Sequence, residues 1–276
     1  MRIVRFEKDS KIGYGIFNRE VIDEISCEAA DTLTGGLPCD PHRRTFTGKQ
    51  YPLEAVTLLA PCRPSKIVAV GLNYRSHAEE IKMPIPDEPL LFLKPSTAVI
   101  GPGDAIVYPS MSRRVDYEAE LGVIIGAVAK NVSEKEAQQY ILGYTCFNDV
   151  TARDLQGKDK QFTRSKSFDT FAPMGPWIET ELDPGNLRVE AYLGGVRQQS
   201  GTTADLVFSV YELLAFISKV MTLLPGDVIA TGTPSGIGPM RVGDHIEIVV
   251  EGIGRLSNVV SGTETMIAVS RCMTEL

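Results

Sequence analysis

The stretch Val115-Asp116-Tyr117-Glu118-Ala119-Glu120-Leu121-Gly122-Val123-Ile124-Ile125 constrains this chain more than any other. It alternates apolar and acidic residues and then turns wholly apolar, as a β-strand does when it runs from a polar site into a core. Successive side chains of a strand face opposite ways, so Glu118 and Glu120 share one face, roughly 6.6 Å apart along it. Carboxylates held that close repel each other unless a cation sits between them. Taken alone, the pattern describes equally a half-exposed strand whose acidic face lies in water. A third acid further along bears on the choice.

Downstream, Ser133-Glu134-Lys135-Glu136 has the form of a capping box and Gly143 that of a C-terminal stop, which predicts a helix between them. Tyr144-Thr145-Cys146-Phe147-Asn148 then reads as a mostly apolar strand ending in Asp149. A strand-helix-strand unit can set its two strands side by side, which carries Asp149 toward Glu118 and Glu120. An aspartate here also suits the cap of a helix starting near Thr151-Ala152-Arg153, and both readings stand at this point. Arg153 and Gln156 follow at helical spacing, and a polar loop from Gly157 to Arg164 leads to Lys166.

Upstream, Lys66-Ile67-Val68-Ala69-Val70-Gly71 reads as a buried strand. It lacks the G-x-G-x-x-G turn, which excludes dinucleotide binding. The segment from Asn73 to Ile81 reads as a short helix with His77 and Glu80 on one face. A carboxylate beside an imidazole fixes its tautomer and raises its basicity, as a general base requires, although such pairs are also common on helix surfaces. Met83-Pro84-Ile85-Pro86-Asp87-Glu88-Pro89 is a stiff loop suited to a lid, followed by Leu90-Leu91-Phe92-Leu93-Lys94-Pro95. The longest predicted helix runs from Asp205, its cap, to Met221. The Thr231–Gly238 loop has no G-K-[ST], so nucleotide binding is not expected, while its hydroxyls and amides suit an anionic ligand.

Gly-Asp pairs at 103–104, 226–227 and 243–244 enter β-runs, marking a fold of many strands and tight connections. Residues 1–62 read as a small β-rich unit with strands from Arg2 to Glu7 and Ile12 to Phe17, then a loop from Thr32 to Gln50 carrying a surface His42. Pro61-Cys62-Arg63-Pro64 marks a boundary, so residues 63–276 form the second unit. The fold class is α+β, rich in strands.

With 43% hydrophobic residues in 276, the chain is long enough for a large core. Its net charge of −7 comes without any basic block, which argues against a nucleic-acid partner. No apolar run approaches the roughly 18 residues that span a bilayer, and no signal-peptide segment opens the chain, so neither a membrane nor export is expected. Five scattered cysteines without C-x-x-C spacing suit free thiols in a reducing cytoplasm.

Six segments, in order, resemble the fumarylacetoacetate hydrolase family over about residues 66–260. They are Gly71-x-Asn73-Tyr74 with His77 and Glu80; Phe92-Leu93-Lys94-Pro95; Asp116-Tyr117-Glu118-Ala119-Glu120-Leu121; Asn148-Asp149-Val150-Thr151-Ala152-Arg153-Asp154; Lys166-Ser167-Phe168-Asp169; and Thr231-Gly232-Thr233-Pro234-Ser235-Gly236. The resemblance implies a mixed β-roll catalytic domain, a homodimer, and Glu118, Glu120 and Asp149 as ligands of a divalent cation. All-oxygen carboxylate sites suit Mg²⁺, with Mn²⁺ or Ca²⁺ as alternatives, rather than zinc.

The same resemblance assigns His77, Glu80 and Lys166 to catalysis, and Tyr74, Arg153, Gln156 and Thr233 to binding a small 2-oxo or dicarboxylic acid. The enzymes that cleave fumarylacetoacetate itself carry a further metal-associated Asp seven residues before the histidine, where this chain has Val70. The chain therefore looks closer to the small members: acylpyruvases, oxaloacetate decarboxylases, and the isomerases or hydrolases of homoprotocatechuate breakdown, a form of aromatic compound catabolism. The expected reaction is Mg²⁺-dependent hydrolysis of a carbon–carbon bond in an acylpyruvate-like 2,4-dioxo acid, of fumarylpyruvate or acetylpyruvate type, through an enolate. The alternatives are isomerisation of a 2-hydroxyhepta-2,4-diene-1,7-dioate-type acid, decarboxylation of oxaloacetate, or a 2-oxo acid binding protein without catalysis.

Overall fold

The structure is a computed structural model that describes residues 1–26 and 44–262. Its centre is one large mixed sheet. From one edge the strands run Thr45–Pro52, Val21–Ser26, Lys11–Asn18, Arg2–Lys8, Ala172–Glu179, Ile141–Asn148, Ala119–Ile125, Val228–Ala230, Ile67–Gly71 and Leu90–Lys94. Five-stranded and three-stranded sheets accompany it. The fold is strand-rich α+β, as the turn spacing predicts.

Ala119–Ile125 is buried along its whole length. Leu121, Val123 and Ile125 enter the main core, while Ile124 packs on the other side with Ile67, Phe147 and Val228. A strand covered on both faces has no polar side to keep, hence its unbroken apolar run. Each such side chain taken from water contributes about 1.5–3 kcal/mol.

The N-terminal hairpin forms as expected, with Arg2–Lys8 paired to Lys11–Asn18. Its two-residue turn, Asp9-Ser10, has both φ angles positive (49° and 60°), the twist that suits a tight hairpin. Arg2–Lys8 also pairs with Ala172–Glu179, so the large sheet continues across the sequence boundary near residue 62.

Several expectations need correction. The acidic stretch is not one strand: Val115–Tyr117 pairs with Gly238–Met240 and Thr151–Ala152, and Ala119–Ile125 joins the large sheet, with the break at Glu118. No helix forms over residues 133–143. Ser133 does bond Glu136, through its Oγ at 2.5 Å, but this closes a turn, and only one 3-10 turn follows, Ala137–Tyr140. Gly143 lies inside the next strand, where an added Cβ would stand 2.5 Å from Glu179 O. The long helix begins at Val210, capped by Ser209 and Glu212 in a capping box, and ends at Val220; Asp205 closes a separate 3-10 turn. Within the expected 32–50 loop, residues 45–50 are strand, and His42 lies outside the described residues. Cys62 and Cys146 are buried free thiols; Cys27, Cys39 and Cys272 lie outside the described residues. No helix among those described is long and apolar enough to cross a membrane.

Candidate active site

The break at Glu118 is where the site forms. A strand that changes sheets loses ladder partners for its peptide groups, and side chains supply them here. The Glu118 N–H donates to Asn148 Oδ1 (3.0 Å) and the Ala119 N–H to Gln199 Oε1 (2.9 Å). Thr233 Oγ1 donates to the Ala119 carbonyl (2.8 Å), and Gln199 Nε2 donates to Thr233 Oγ1 and to the Pro234 carbonyl (2.8 Å each). Asp149 ends the antiparallel neighbour Ile141–Asn148, and its own N–H bonds the Glu118 carbonyl (2.9 Å). The outcome is three buried carboxylates, Glu118, Glu120 and Asp149, each offering an oxygen within 4.8 Å of the others'. Asp149 is no helix cap; the Arg153–Asp159 helix starts after Ala152.

Three cations surround the acids. Lys166 Nζ bonds Glu118 Oε2 (2.9 Å) and Asp149 Oδ2 (2.5 Å). Lys94, wholly buried at the end of Leu90–Lys94, bonds Asp149 Oδ1 (2.5 Å) and the Val150 carbonyl (3.2 Å). Arg153 binds Glu118 Oε1, Asp116 Oδ2 (2.9 Å) and Gln156 Oε1 (2.6 Å). Burial disfavours the Glu118 anion, but Lys166 and Arg153 outweigh it and hold this carboxyl well below the usual range. Glu120 behaves in the opposite way. Burial first, then the charges of Asp149 and Glu118, push its carboxyl well above the usual range. It accepts the Gly232 N–H (2.9 Å), and it forms no ion pair among the described residues.

An uncompensated carboxylate facing two others, all with oxygen donors and none with sulfur or imidazole, is what a hard divalent cation would neutralise. Every carboxylate oxygen has two lone pairs, so the bonds just described leave room for ligation.

His77 and Glu80 lie on the helix Arg75–Ile81, with Nδ1 2.9 Å from Glu80 Oε2. Glu80 Oε1 accepts the Gly236 N–H (2.9 Å), which ties the pair to the glycine-rich loop. His77 lies close enough for its charge to act on Glu118. The Tyr74 hydroxyl is buried without a hydrogen-bond partner, and burial, then the Glu120 charge, push its pKa well above the usual tyrosine value, which keeps it protonated.

A family model described as fumarylacetoacetate (FAA) hydrolase, C-terminal, matches residues 66–261, and one described as Rv2993c-like, N-terminal, matches residues 1–61. The chain belongs to the fumarylacetoacetate hydrolase family. As such it is a metal-dependent enzyme, of a family with hydrolases, isomerases and tautomerases among its members.

It is 44% identical over 223 residues to oxaloacetate tautomerase YisK of Bacillus subtilis, an alignment covering 75% of this chain and 74% of that one. The crystal structure of 2-hydroxyhepta-2,4-diene-1,7-dioate isomerase from Mycobacterium marinum has a TM-score of 0.86 at 40% identity, over 95% of this chain and 99% of that one. Maleylpyruvate hydrolase from Sphingobium sp. SYK-6, solved with manganese(II) and pyruvate, has a TM-score of 0.75 at 31% identity, over 95% and 99%. These neighbours bear out the fold class, and the manganese complex agrees with a divalent cation in the family.

Among the residues expected from sequence, Glu118, Glu120, Asp149, Lys166, Arg153 and Gln156 form one connected network. His77 and Glu80 stand beside it as a bonded pair. Thr233 belongs to the support beneath Ala119: its proton is committed to a carbonyl, and its oxygen already accepts from Gln199. Three members carried no expected role. Lys94 lies in the Phe92-Leu93-Lys94-Pro95 segment, and its signal was a lysine ending an apolar run. Asp116, bridging Arg114 and Arg153, shares the acidic stretch. Gln199 gave no signal, because it stands in a polar hairpin strand.

Proposed function

We propose that this chain moves a proton at C3 of a small 2-oxo dicarboxylic acid, interconverting its keto and enol forms, with Glu118, Glu120 and Asp149 holding the cation. The observation that carries the proposal is the convergence of three buried carboxylates with Lys166 and the His77–Glu80 pair. A divalent cation there, Mg²⁺ by the hard-oxygen argument with Mn²⁺ or Ca²⁺ as substitutes, supplies Lewis acidity for the negative charge that develops on the 2-oxo oxygen.

Glu80 beside Nδ1 favours the tautomer protonated there, which leaves a lone pair on His77 Nε2 to take a proton. Lys166 Nζ provides positive charge at the acids and a proton to return to carbon. Arg153 spends three of its five N–H groups on Asp116, Gln156 and Glu118, leaving about two for a substrate carboxylate. Tyr74, with its unpartnered hydroxyl, offers one more donor. The similarity to an oxaloacetate tautomerase favours an oxaloacetate-like substrate over a longer one.

A second reading uses the same side chains on a 2,4-dioxo acid and is favoured by the oriented histidine. His77 Nε2 takes a proton from water, the hydroxide adds to the C4 carbonyl, the C3–C4 bond breaks, and Lys166 protonates C3. Isomerisation of a hydroxydienoate and decarboxylation need no attacking water and compete on the same footing. A homodimer, a cytoplasmic setting and the division into units 1–62 and 63–276 complete the reading.

The test is a panel of oxaloacetate, acetylpyruvate and a 2-hydroxyhepta-2,4-dienedioate, each with Mg²⁺ and with EDTA. The expected result is EDTA-sensitive exchange of the oxaloacetate C3 proton with solvent deuterium, followed by NMR. Acylpyruvate cleavage without that exchange would establish the second reading instead. Turnover that ignores EDTA would remove both, and binding without any turnover would leave a 2-oxo acid binding protein.

A further inference from the structure

The three acids share a pattern that their clustering does not require. Each has one oxygen held by a protein donor other than Lys166. Glu118 Oε1 is held by Arg153 and by Thr151 Oγ1 (3.0 Å). Glu120 Oε2 is held by the Gly232 N–H (2.9 Å). Asp149 Oδ1 is held by Lys94 (2.5 Å). The oxygens Lys166 reaches, Glu118 Oε2 and Asp149 Oδ2, are the opposite ones.

Among the side-chain holders, Lys94 is itself firmly held. It is wholly buried, its ammonium is tied to the Val150 carbonyl (3.2 Å) as well as to Asp149, and its strand is fixed in register, Lys94 opposite Ile67. A carboxylate can ligate through one oxygen or two. An ammonium 2.5 Å from Oδ1, itself anchored to the backbone, opposes the turn that would bring both Asp149 oxygens onto one ion.

We propose that Lys94 is a positioning residue that confines Asp149 to single-oxygen ligation and so keeps a coordination position open for substrate. The inference rests on the proposed cation site. Three single-oxygen ligands on an octahedral ion leave about three positions, enough for a 2-oxo acid chelating through two oxygens and one water. If Asp149 takes two positions, about two remain, and the chelating acid and the water can no longer bind together. Lys94 thus governs access of the substrate to the ion rather than retention of the ion.

The experiment compares wild type with Lys94→Met, which keeps the apolar stem and removes the donor. Lys94→Gln, about one bond too short to reach Oδ1, carries the same comparison if the methionine variant is insoluble. Mn²⁺ is titrated by calorimetry, coordinated waters are counted by water-proton relaxation, and oxalate binding is measured on the Mn²⁺-loaded proteins. Loss of Lys94 is expected to leave Mn²⁺ affinity within about tenfold, lower the water count from about three to about two, and weaken oxalate by about 10–100-fold, the range over which outer partners of metal ligands act. An unchanged water count with unchanged oxalate affinity would overturn the proposal. So would outright loss of Mn²⁺, since Lys94 would then serve retention. Failure of the wild type to bind Mn²⁺ is a separate outcome that sinks the cation site itself.

Discussion

Gln199→Leu tests whether the site depends on the side chains that replace a sheet at the Glu118 break. Leucine fills a similar volume, so the loss is polar. Gln199 is 1% exposed and makes three bonds, from Ala119 N–H and to Thr233 Oγ1 and Pro234 O. Without them the Ala119 N–H and the Pro234 carbonyl lose these partners in the interior, while Thr233 keeps its bond to Ala119 O. Each of the two buried orphans costs about 1–3 kcal/mol, and the added apolar surface returns about 1, which gives a net loss of about 1–5 kcal/mol. That is a large share of a stability of about 5–15 kcal/mol. Ala119 lies between Glu118 and Glu120, so slack there spreads the ligands, and Mg²⁺ affinity should fall about 10–100-fold. Urea unfolding in EDTA measures the first effect and calorimetric Mg²⁺ titration the second. Stability within about 0.5 kcal/mol of wild type, together with unchanged affinity, would refute the reasoning.

Three further outcomes follow from the geometry. Glu80→Gln should lower kcat about 10–100-fold while leaving Mg²⁺ affinity nearly unchanged, because Glu80 touches His77 and Gly236 but no acid of the cluster; equal losses in both would contradict its role as orienter. Gly143→Ala should cost about 1–3 kcal/mol in urea unfolding, since the new methyl meets Glu179 O at 2.5 Å and Ile178 Cγ2 at 2.7 Å; a neutral result would mean that the two strands part freely. In EDTA, Glu120, whose carboxyl is raised, favours the folded state below its unfolded value and loses that contribution as pH rises through the folded value. The stabilisation conferred by Mg²⁺ should therefore grow as pH rises through that window in urea melts, and Glu120→Gln should flatten the trend.

The acidic cluster was legible in the sequence because strand alternation and the apolar run of residues 121–125 are imposed by burial on both sides. The break at Glu118 was not, because it depends on Asn148 and Gln199, which lie far off in the sequence, and nothing local announces a borrowed acceptor. The failed helix at 133–143 has a local cause. Ser133 and Glu136 satisfy each other in any tight turn, and strand packing claims Gly143. The cap of the long helix was misplaced for a similar reason: Asp205 and Ser209 both suit the role, and only Ser209 has glutamate three residues on. Lys94 shows the remaining limit. A lysine ending Leu-Leu-Phe-Leu reads as the exposed end of a strand until Asp149 is known to lie against it.

The central claim is that three acids, two from one break in a strand and one from the neighbouring strand's end, hold a single divalent ion. Calorimetric titration of Mn²⁺ into wild type and Glu120→Gln tests it most directly, because Glu120 is the acid of the three that forms no ion pair among the described residues. The account predicts about one ion per chain in wild type and at least about 100-fold weaker binding in the variant, corresponding to about 2.7 kcal/mol. Equal affinity in the two proteins would contradict it.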